Sequence, residues 1–405
     1  MTETVVYPQD RTCPYQPAPD YLSLVEQRPL AQVALYDGRR VWAITSRDVA
    51  RRLLVDPRIS SDRTNPAWPA MFPSIAAAIK DAQQKILKIV TALVGVDGQV
   101  HKNRRKMLIP SFTIRRINAM RPKIQEIVDR QLDQMLENGA PADLIPAFAA
   151  PVPVTVLYHL MGIPEEDHDY FEKQSYQFIT GSNADVAYDE LMAYMSKLIA
   201  QKRRNPGDGV LDDLLAERGD LGDVGDVDGD ELVSTLVLQV AGGHGTTGTL
   251  ISLSVFALLQ NPERLAELRA DPSLMPTAMD ELLRLLSIPD GLQRLAVDDI
   301  EIEGTTIRKG DGVFFMTSLI NRDENVHEAP DSLNWHRGAS ARDHVSFGYG
   351  AHQCLGQNLA RVTMEIALST LIQRLPGLRL AAAAEEIPFN PTAGFQVLNE
   401  LPVSW

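Results

Sequence analysis

Residues 347–356 read FGYGAHQCLG, or Phe347-Gly348-Tyr349-Gly350-Ala351-His352-Gln353-Cys354-Leu355-Gly356, and they run straight into a helical pattern over Leu355 to Leu375. The glycines permit tight backbone turns. A helix beginning just past Cys354 aims its free amide groups and positive dipole end back at the sulfur. That setting favours thiolate over thiol, and the thiolate is the form that attacks or binds metal. On the residues alone three fates stay open for Cys354. It is a small buried hydrophobe, the commonest fate of a solitary cysteine. It is a zinc ligand, with His344 and His352 close in sequence but no Cys-pair or His-pair spacing to complete four ligands. Or it ligates another metal.

Working outward, helix dominates the pattern. Ile124 to Leu136, Tyr188 to Lys202, Glu231 to Leu259, Pro262 to Ala270 and Pro276 to Leu286 all carry helical apolar spacing. The segment Glu231 to Leu259 is bounded by Asp228 or Asp230 as caps and by Asn261-Pro262 as a stop, so one long helix crossing the domain is expected. Strands are few: a hairpin over 30–45 around Asp37-Gly38, and short β segments over 300–316. The stretch 205–230, rich in Asp and Gly, reads as an acidic surface connection. No repeat is evident and helical patterning resumes on both sides of that stretch. The expectation is one domain over 1–405, mainly α with a small β region that includes the C-terminal segment.

The chain has 405 residues, 44% hydrophobic, and a formal net charge of −14. That suffices for a large core and gives a nucleic-acid partner no electrostatic support. The N-terminus, MTETVVYPQDRTCPYQPAP, has no basic segment followed by an apolar run and nothing long enough to span a bilayer, so the expected location is cytoplasmic, away from membranes. Cys13 and Cys354 are the only cysteines and lie far apart in sequence, which does not suggest a disulfide framework.

The decapeptide matches F-G-x-G-x-H/R-x-C-x-G at every fixed position, and in this it resembles the cytochrome P450 family. Glu281-Leu282-Leu283-Arg284 looks like the family's E-x-x-R helix, and Arg337 in LNWHR matches the arginine that completes its buried ion-pair triad. The resemblance extends over essentially the whole chain. It implies the P450 fold with a long central helix over a buried heme b (iron protoporphyrin IX), with Cys354 as axial ligand of the iron. It assigns Phe347 and Gly350 to the heme loop, and His101, Arg105, Arg294 and His352 to the propionates. Glu281, Arg284 and Arg337 take a folding role. Read without the resemblance, Glu281 and Arg284 are an i,i+3 pair worth a few tenths of a kcal/mol, and HKNRRK at 101–106 is a solvated basic turn. Lys102, Arg104 and Lys106 are expected to face outward and receive an acidic electron-transfer partner.

The central segment reads Ala241-Gly242-Gly243-His244-Gly245-Thr246-Thr247 where the family has A/G-G-x-D/E-T-T, so Gly245 stands in place of the acid. Thr246, with ordered water, is the expected proton route. His244, with a side-chain pKa suited to proton transfer, is a candidate substitute carrier, although a helix sets it about 100° from position 245. Three glycines inside a helix cost about 0.8–1.0 kcal/mol each relative to Ala, and close approach to the porphyrin accounts for Gly242 or Gly243 better than for Gly245. A second departure is Val96-Asp97-Gly98-Gln99-Val100-His101, in place of a D-P-P-E-H type of segment. The stretch 80–98 before it corresponds to a loop covering the active site. Substrate contacts implied by the resemblance are Trp68, Met71, Val240, Gly243, Ile288, Pro289, Leu292, Phe395 and Gln396. Each apolar member reads equally as core.

The implied activity is oxidation of a small natural product, by default hydroxylation, with electrons from ferredoxin and its NAD(P)H-dependent reductase. The loss of the acid at Gly245 motivates two alternatives. One is radical C–C or C–N coupling of aromatic or indole-bearing substrates without oxygen transfer. The other, from a different class, is a heme-binding sensor that does not turn over.

Overall fold

The structure, a computed structural model, describes residues 5–72, 83–180, 184–220, 229–243, 245–391 and 396–405. The helical segments pack around one large apolar cluster, to which Leu132, Phe148, Tyr158, Leu253, Leu282, Trp335 and Leu371 all belong. Ile124, Ile127, Val128, Leu132 and Met135 form the buried stripe of the helix Arg121–Asn138, matching the periodicity that predicts it. Among the described residues no helix is long and apolar enough to cross a membrane.

The expected β region is present. Strands β1 (Leu30–Ala34) and β2 (Arg40–Ile44) form the hairpin, with Val33 opposite Val41. Between them Gly38 supplies the positive φ that the turn requires. They join β3 (Ile59–Ser60), β5 (Leu292–Ala296) and β8 (Gly312–Phe315) in a sheet of order β1-β2-β8-β5-β3. The β2–β8 pair is parallel and sets Ala43 beside Phe314; β8 and β5 are antiparallel, with Val313 beside Arg294. Strands β6 (Ile300–Ile302) and β7 (Thr305–Ile307) make a separate hairpin, and β10 (Pro402–Ser404) lies between β4 (Ala142–Asp143) and β9 (Arg379–Leu380).

Three local expectations are corrected. The segment 231–259 is not one helix: Gly229–Gly243 and Thr246–Leu259 are separate, and Gly245 between them has φ +84° and ψ −38°, outside the range a right-handed helix accepts. The acidic connection 205–230 contains the helix Val210–Asp220. There Asp212 is buried, accepting from Lys202 Nζ at 2.9 Å and from the Gly207 and Gly209 amides at 2.7 and 3.0 Å. The loop 80–98 likewise contains the helix Gln83–Thr91.

Candidate active site

Cys354 sits three residues before the helix Gln357–Arg374, in a loop fixed by its backbone. The Cys354 amide donates to the Phe347 carbonyl at 2.7 Å and Gly348 donates to Val345 at 2.8 Å. Gly350 has φ +74°, and a Cβ there would stand 2.8 Å from the Leu54 carbonyl oxygen, so glycine is required by both conformation and space. The Cys354 side chain has free surface, and it faces a cavity of about 390 Å³. Surrounding protein desolvates the sulfur and pushes the thiol up. The amides of Gly356 and Gln357 and the cations of Arg105 and Arg361 act in the opposite direction. The helix terminus is thus aimed as the sequence suggests, but burial outweighs it, and a cationic centre at the sulfur is what would reverse the balance.

The cavity brings together residues far apart in sequence: His101, Arg105, Gly242, Gly243, Thr246, Thr247, Arg294, Phe347, His352 and Cys354 all line it. His101 and Arg105 project from one face of the helix Gly98–Leu108, as i,i+4 spacing requires. The His101 and His352 rings stack with centroids 4.0 Å apart. His352 Nε2 lies 2.9 Å from Asp97 Oδ1, while the other Asp97 oxygen accepts from Ser60 Oγ at 2.6 Å and the Ser61 amide at 2.9 Å. Burial would raise the Asp97 carboxyl, but the hydrogen bonds from His352, Ser60 and Ser61 hold it at about 2. Burial, then the neighbouring His352 and Arg105, lower His101 to about 4. Arg105 donates to the Gln353 carbonyl at 2.6 Å. The Arg294 guanidinium donates to the adjacent Gln293 carbonyl at 2.7 Å, and burial followed by repulsion from Arg63 brings it down to about 10.

Among the described residues no Asp or Glu lines this cavity. Two guanidinium groups and two imidazoles therefore border it without a carboxylate on its wall. The remainder is largely apolar, with Leu157, Leu250, Ile288, Pro289 and Leu292. A thiol, a cationic and imidazole edge and apolar walls fit a flat, anionic, sulfur-ligated metal macrocycle, and they fit a small hydrophilic ligand poorly. Among the described residues no group of three His, Cys, Asp or Glu is arranged to hold a metal ion, so the zinc alternative gains nothing.

Behind the cysteine loop, Glu281 and Arg284 are both fully buried. Arg284 donates to Glu281 through two bonds of 2.8 Å, and Arg337 Nε adds a third of 2.8 Å to Oε1. The rest of the Arg284 fork donates to the carbonyls of Asn321, Pro330 and Ser332. Burial would raise the Glu281 carboxyl, but Arg284 and Arg337 bring it below its ordinary value.

Other expected site residues fall elsewhere. Thr246 lines the cavity, and its hydroxyl donates to the Gly242 carbonyl at 3.0 Å. Gly243, Ile288, Pro289 and Leu292 are also on the wall. Trp68, Met71 and Val240 are not: each is buried in packing. Met71 lies in the cluster of Tyr7 and Phe314, Val240 in the main core, and Trp68 under Arg63. Their apolar character reflects core position. Gln396 is also off the wall; it is buried, its amide donates to the Ile288 carbonyl at 2.9 Å, and its side chain has no partner among the described residues. A Cβ on Gly243 would meet Leu157 at 2.7 Å, so helix packing constrains this glycine, whereas one on Gly242 would meet nothing. Gly245 bends the chain beside the wall. His244 and Phe395 lie outside the described residues. Arg104, expected to face outward, instead pairs with Glu231 and donates to the Thr91 carbonyl.

Sequence reasoning missed Asp97 and Arg361. Asp97 occupies the N-cap position of Gly98–Leu108, a signal that Asp before a helix carries. Arg361 lies with its guanidinium carbon 5.0 Å from the Phe347 ring centroid and donates to Asp280. As a helix residue pointing back at the cysteine loop, it is marked only by its position one turn into that helix.

Comparison with known proteins agrees with this geometry. A family model described as Cytochrome P450 matches residues 168–377. Pentalenic acid synthase of Streptomyces avermitilis is 53% identical over 408 residues, spanning 100% of this chain and 98% of that protein. Vitamin D3 dihydroxylase of Streptomyces griseolus is 44% identical, spanning 100% and 98%. The crystal structure of cytochrome P450 MoxA from Nonomuraea recticatena superposes with a TM-score of 0.90 at 37% identity, covering 99% of this chain and 98% of that one.

Proposed function

Because this chain belongs to the cytochrome P450 family and is a heme b oxidoreductase, we propose that it hydroxylates a compact, largely apolar natural product in the cavity beside Cys354. The observation that carries this reading is the cavity itself, in which one thiol, a cationic edge and an apolar wall meet. Heme, when bound, supplies reduction of dioxygen and transfer of one oxygen atom to a C–H bond.

Cys354 is the residue that ligates the iron. The Gly356 and Gln357 amides and the charges of Arg105 and Arg361 favour its thiolate form. Arg105, Arg294, His101 and His352 would hold the propionates, a role favoured because no carboxylate among the described residues lines the wall to compete for them. Asp97 fixes the His352 ring. Phe347 and Gly350 shape the loop that presents the sulfur. Thr246 is the hydroxyl that passes protons with ordered water, and Thr247 lies beside it on the wall. Gly245 contributes a bend and no proton.

Electrons come from a ferredoxin and its NAD(P)H-dependent reductase, with Lys102 and Lys106 available to meet an acidic partner; Arg104 is committed to Glu231. The substrate is a small molecule resembling those of secondary metabolism, a reading supported by the 53% identity to pentalenic acid synthase. We take residues 1–405 as one oxidase domain, since its relatives match end to end.

The test is the absorption spectrum of the dithionite-reduced holoenzyme under carbon monoxide, for the wild type and Cys354→Ala. A red-shifted Soret band lost in the variant is expected; an unchanged spectrum after Cys354→Ala defeats the ligand assignment. Incubating a panel of carbocyclic natural products with NADPH and a surrogate ferredoxin system should then give a product heavier by one oxygen. A dimer lighter by two hydrogens would indicate coupling, and no substrate-dependent NADPH oxidation would indicate a sensor.

A further inference from the structure

On the cavity wall, Ile288 and Pro289 belong to a short connection between the helix Met275–Leu285 and strand β5, and Leu292 is the first residue of that strand. Such a connection has no regular backbone ladder of its own, and neighbouring segments tie it: at its start Asn321 donates to Ser287 Oγ, which also lies 3.2 Å from Ser346 Oγ. The Thr317 amide donates to the Asp290 carbonyl at 3.2 Å, the Thr317 hydroxyl donates to the Pro289 carbonyl, and Ser318 Oγ donates to Asp290 Oδ1 at 2.7 Å. A further tie, at Asp290, comes from the other end of the chain. Arg11 Nη2 lies 2.8 Å from Asp290 Oδ1, and both side chains are only 1% exposed.

This contact is ionic, without the direction of a good hydrogen bond, and no other group among the described residues takes a hydrogen bond from the Arg11 guanidinium. Among the described residues Asp290 is therefore the one close counter-charge of this buried cation. Ion pairs of this kind are poor sources of net stability but strong determinants of arrangement, because removing one partner strands the other. The Arg11 backbone also donates to the Pro391 carbonyl at 3.1 Å, and the Gln396 amide donates to Ile288. The N-terminal segment thus reaches the connection beside the cavity wall through Asp290 and also bonds to Pro391, while Gln396, nearby in sequence, bonds to Ile288 on the same wall.

We propose that the buried Arg11–Asp290 pair is a positioning device for the active-site wall: from outside the cavity it sets where Ile288, Pro289 and Leu292 stand, and with them the size and orientation of substrate accepted. The proposal rests on the reading of this cavity as the site beside the heme. Neither residue touches the cavity, so neither is a catalytic residue.

The test uses two iron-ligating probes that differ in reach. Imidazole is too small to sense the wall, whereas 4-phenylimidazole projects a ring toward it. Spectral titration of the holoenzyme variants Arg11→Met and Asp290→Asn should show 4-phenylimidazole weakened about tenfold and imidazole changed by less than about twofold, since an ångström of wall displacement has effects of this order on a close-fitting group. Arg11→Lys should restore most of the affinity. If a single variant does not fold, Arg11→Met/Asp290→Asn, which leaves no lone buried charge, carries the same expectation. Equal weakening of both probes, or no change in either, overturns the proposal. A wild type that lacks the red-shifted carbon monoxide band would instead defeat the heme–thiolate reading on which it rests.

Discussion

Behind Cys354 nearly every buried polar group has a named partner: Glu281 holds two arginines, Asn321 accepts from the Val345 amide at 2.8 Å, and Asp280 receives Arg342 and Arg361. Along the helices Gly229–Gly243 and Thr246–Leu259 and the wall beside them the cavity is lined instead by Leu157, Gln239, Gly242, Thr246 and Leu250, and the Thr246 hydroxyl donates across the bend to the Gly242 carbonyl. The first region specifies one geometry through directional bonds that are costly to break. The second specifies a volume through packing, which tolerates exchange of side chains at modest cost. One chain can thus hold a fixed cysteine loop while its substrate space is free to differ from that of its relatives.

The comparison is broken most directly by Glu281→Gln. With the carboxylate gone, Arg284 and Arg337 lose their common counter-charge in a fully buried site, which should cost about 3–5 kcal/mol. Urea unfolding of the holoenzyme should show that loss together with easier heme release. A cost below about 1 kcal/mol would mean that the network behind the cysteine is dispensable and that the two regions do not differ as argued.

A smaller effect comes from the one conspicuous exception behind the cysteine. His327 is 1% exposed, and neither ring nitrogen has a partner among the described residues. Burial first, then the charges of Arg284 and Arg337, lower it to about 4 from an ordinary 6.5. As pH falls from 6.5 toward 4 the unfolded chain therefore binds a proton that the folded protein refuses, so this group removes stability on acidification and leaves it intact above 6.5. His327→Gln should flatten the pH dependence of the unfolding free energy across that window by up to about one proton. An unchanged slope would mean that the ring is solvated or paired on the native protein and that its neutrality is not imposed by the arginines.

The two regions also differed in how legible they were. The cysteine loop and Glu281-x-x-Arg284 were legible through the family resemblance, whose motifs are short stretches of chain: Cys354, Gly350 and the start of the following helix lie within about ten residues, and Arg284 reaches Glu281 across one helical turn. Where contacts were distant, sequence spoke only of residue type. Trp68, Met71 and Val240 were expected on the substrate wall and are in the core, because hydrophobicity states that a side chain is inside without stating which inside. Arg104 looked like a solvated cation, and only the approach of Glu231 and Thr91 turns it inward. Asp212 sat in an acidic run that read as surface connection until Lys202 and two amides enclosed it. Asp97, four residues before His101, was seen as part of an altered segment, yet it keeps its cap position and holds His352.

Gly245 is the sharpest case, because its identity was noticed and its conformation was not. Periodicity carries straight through it, so the sequence favours a continuous helix, whereas the backbone there adopts φ +84° and ends one helix before Thr246 begins the next. A Cβ at this position would meet nothing within 4 Å, so the penalty for a side chain is conformational and not steric crowding by neighbours. Gly245→Ala should therefore lower stability by about 1–3 kcal/mol, at or below the cost of Glu281→Gln, without loss of heme. It should also alter substrate affinity, since Gly242 and Thr246, on either side of the bend, line the cavity. Urea unfolding and substrate-induced spectral shifts would check both. If alanine were neutral or stabilising, the helix would be straightening across position 245. The bend would then be a soft feature of the packing-defined region, which separates it still further from the tied network behind Cys354.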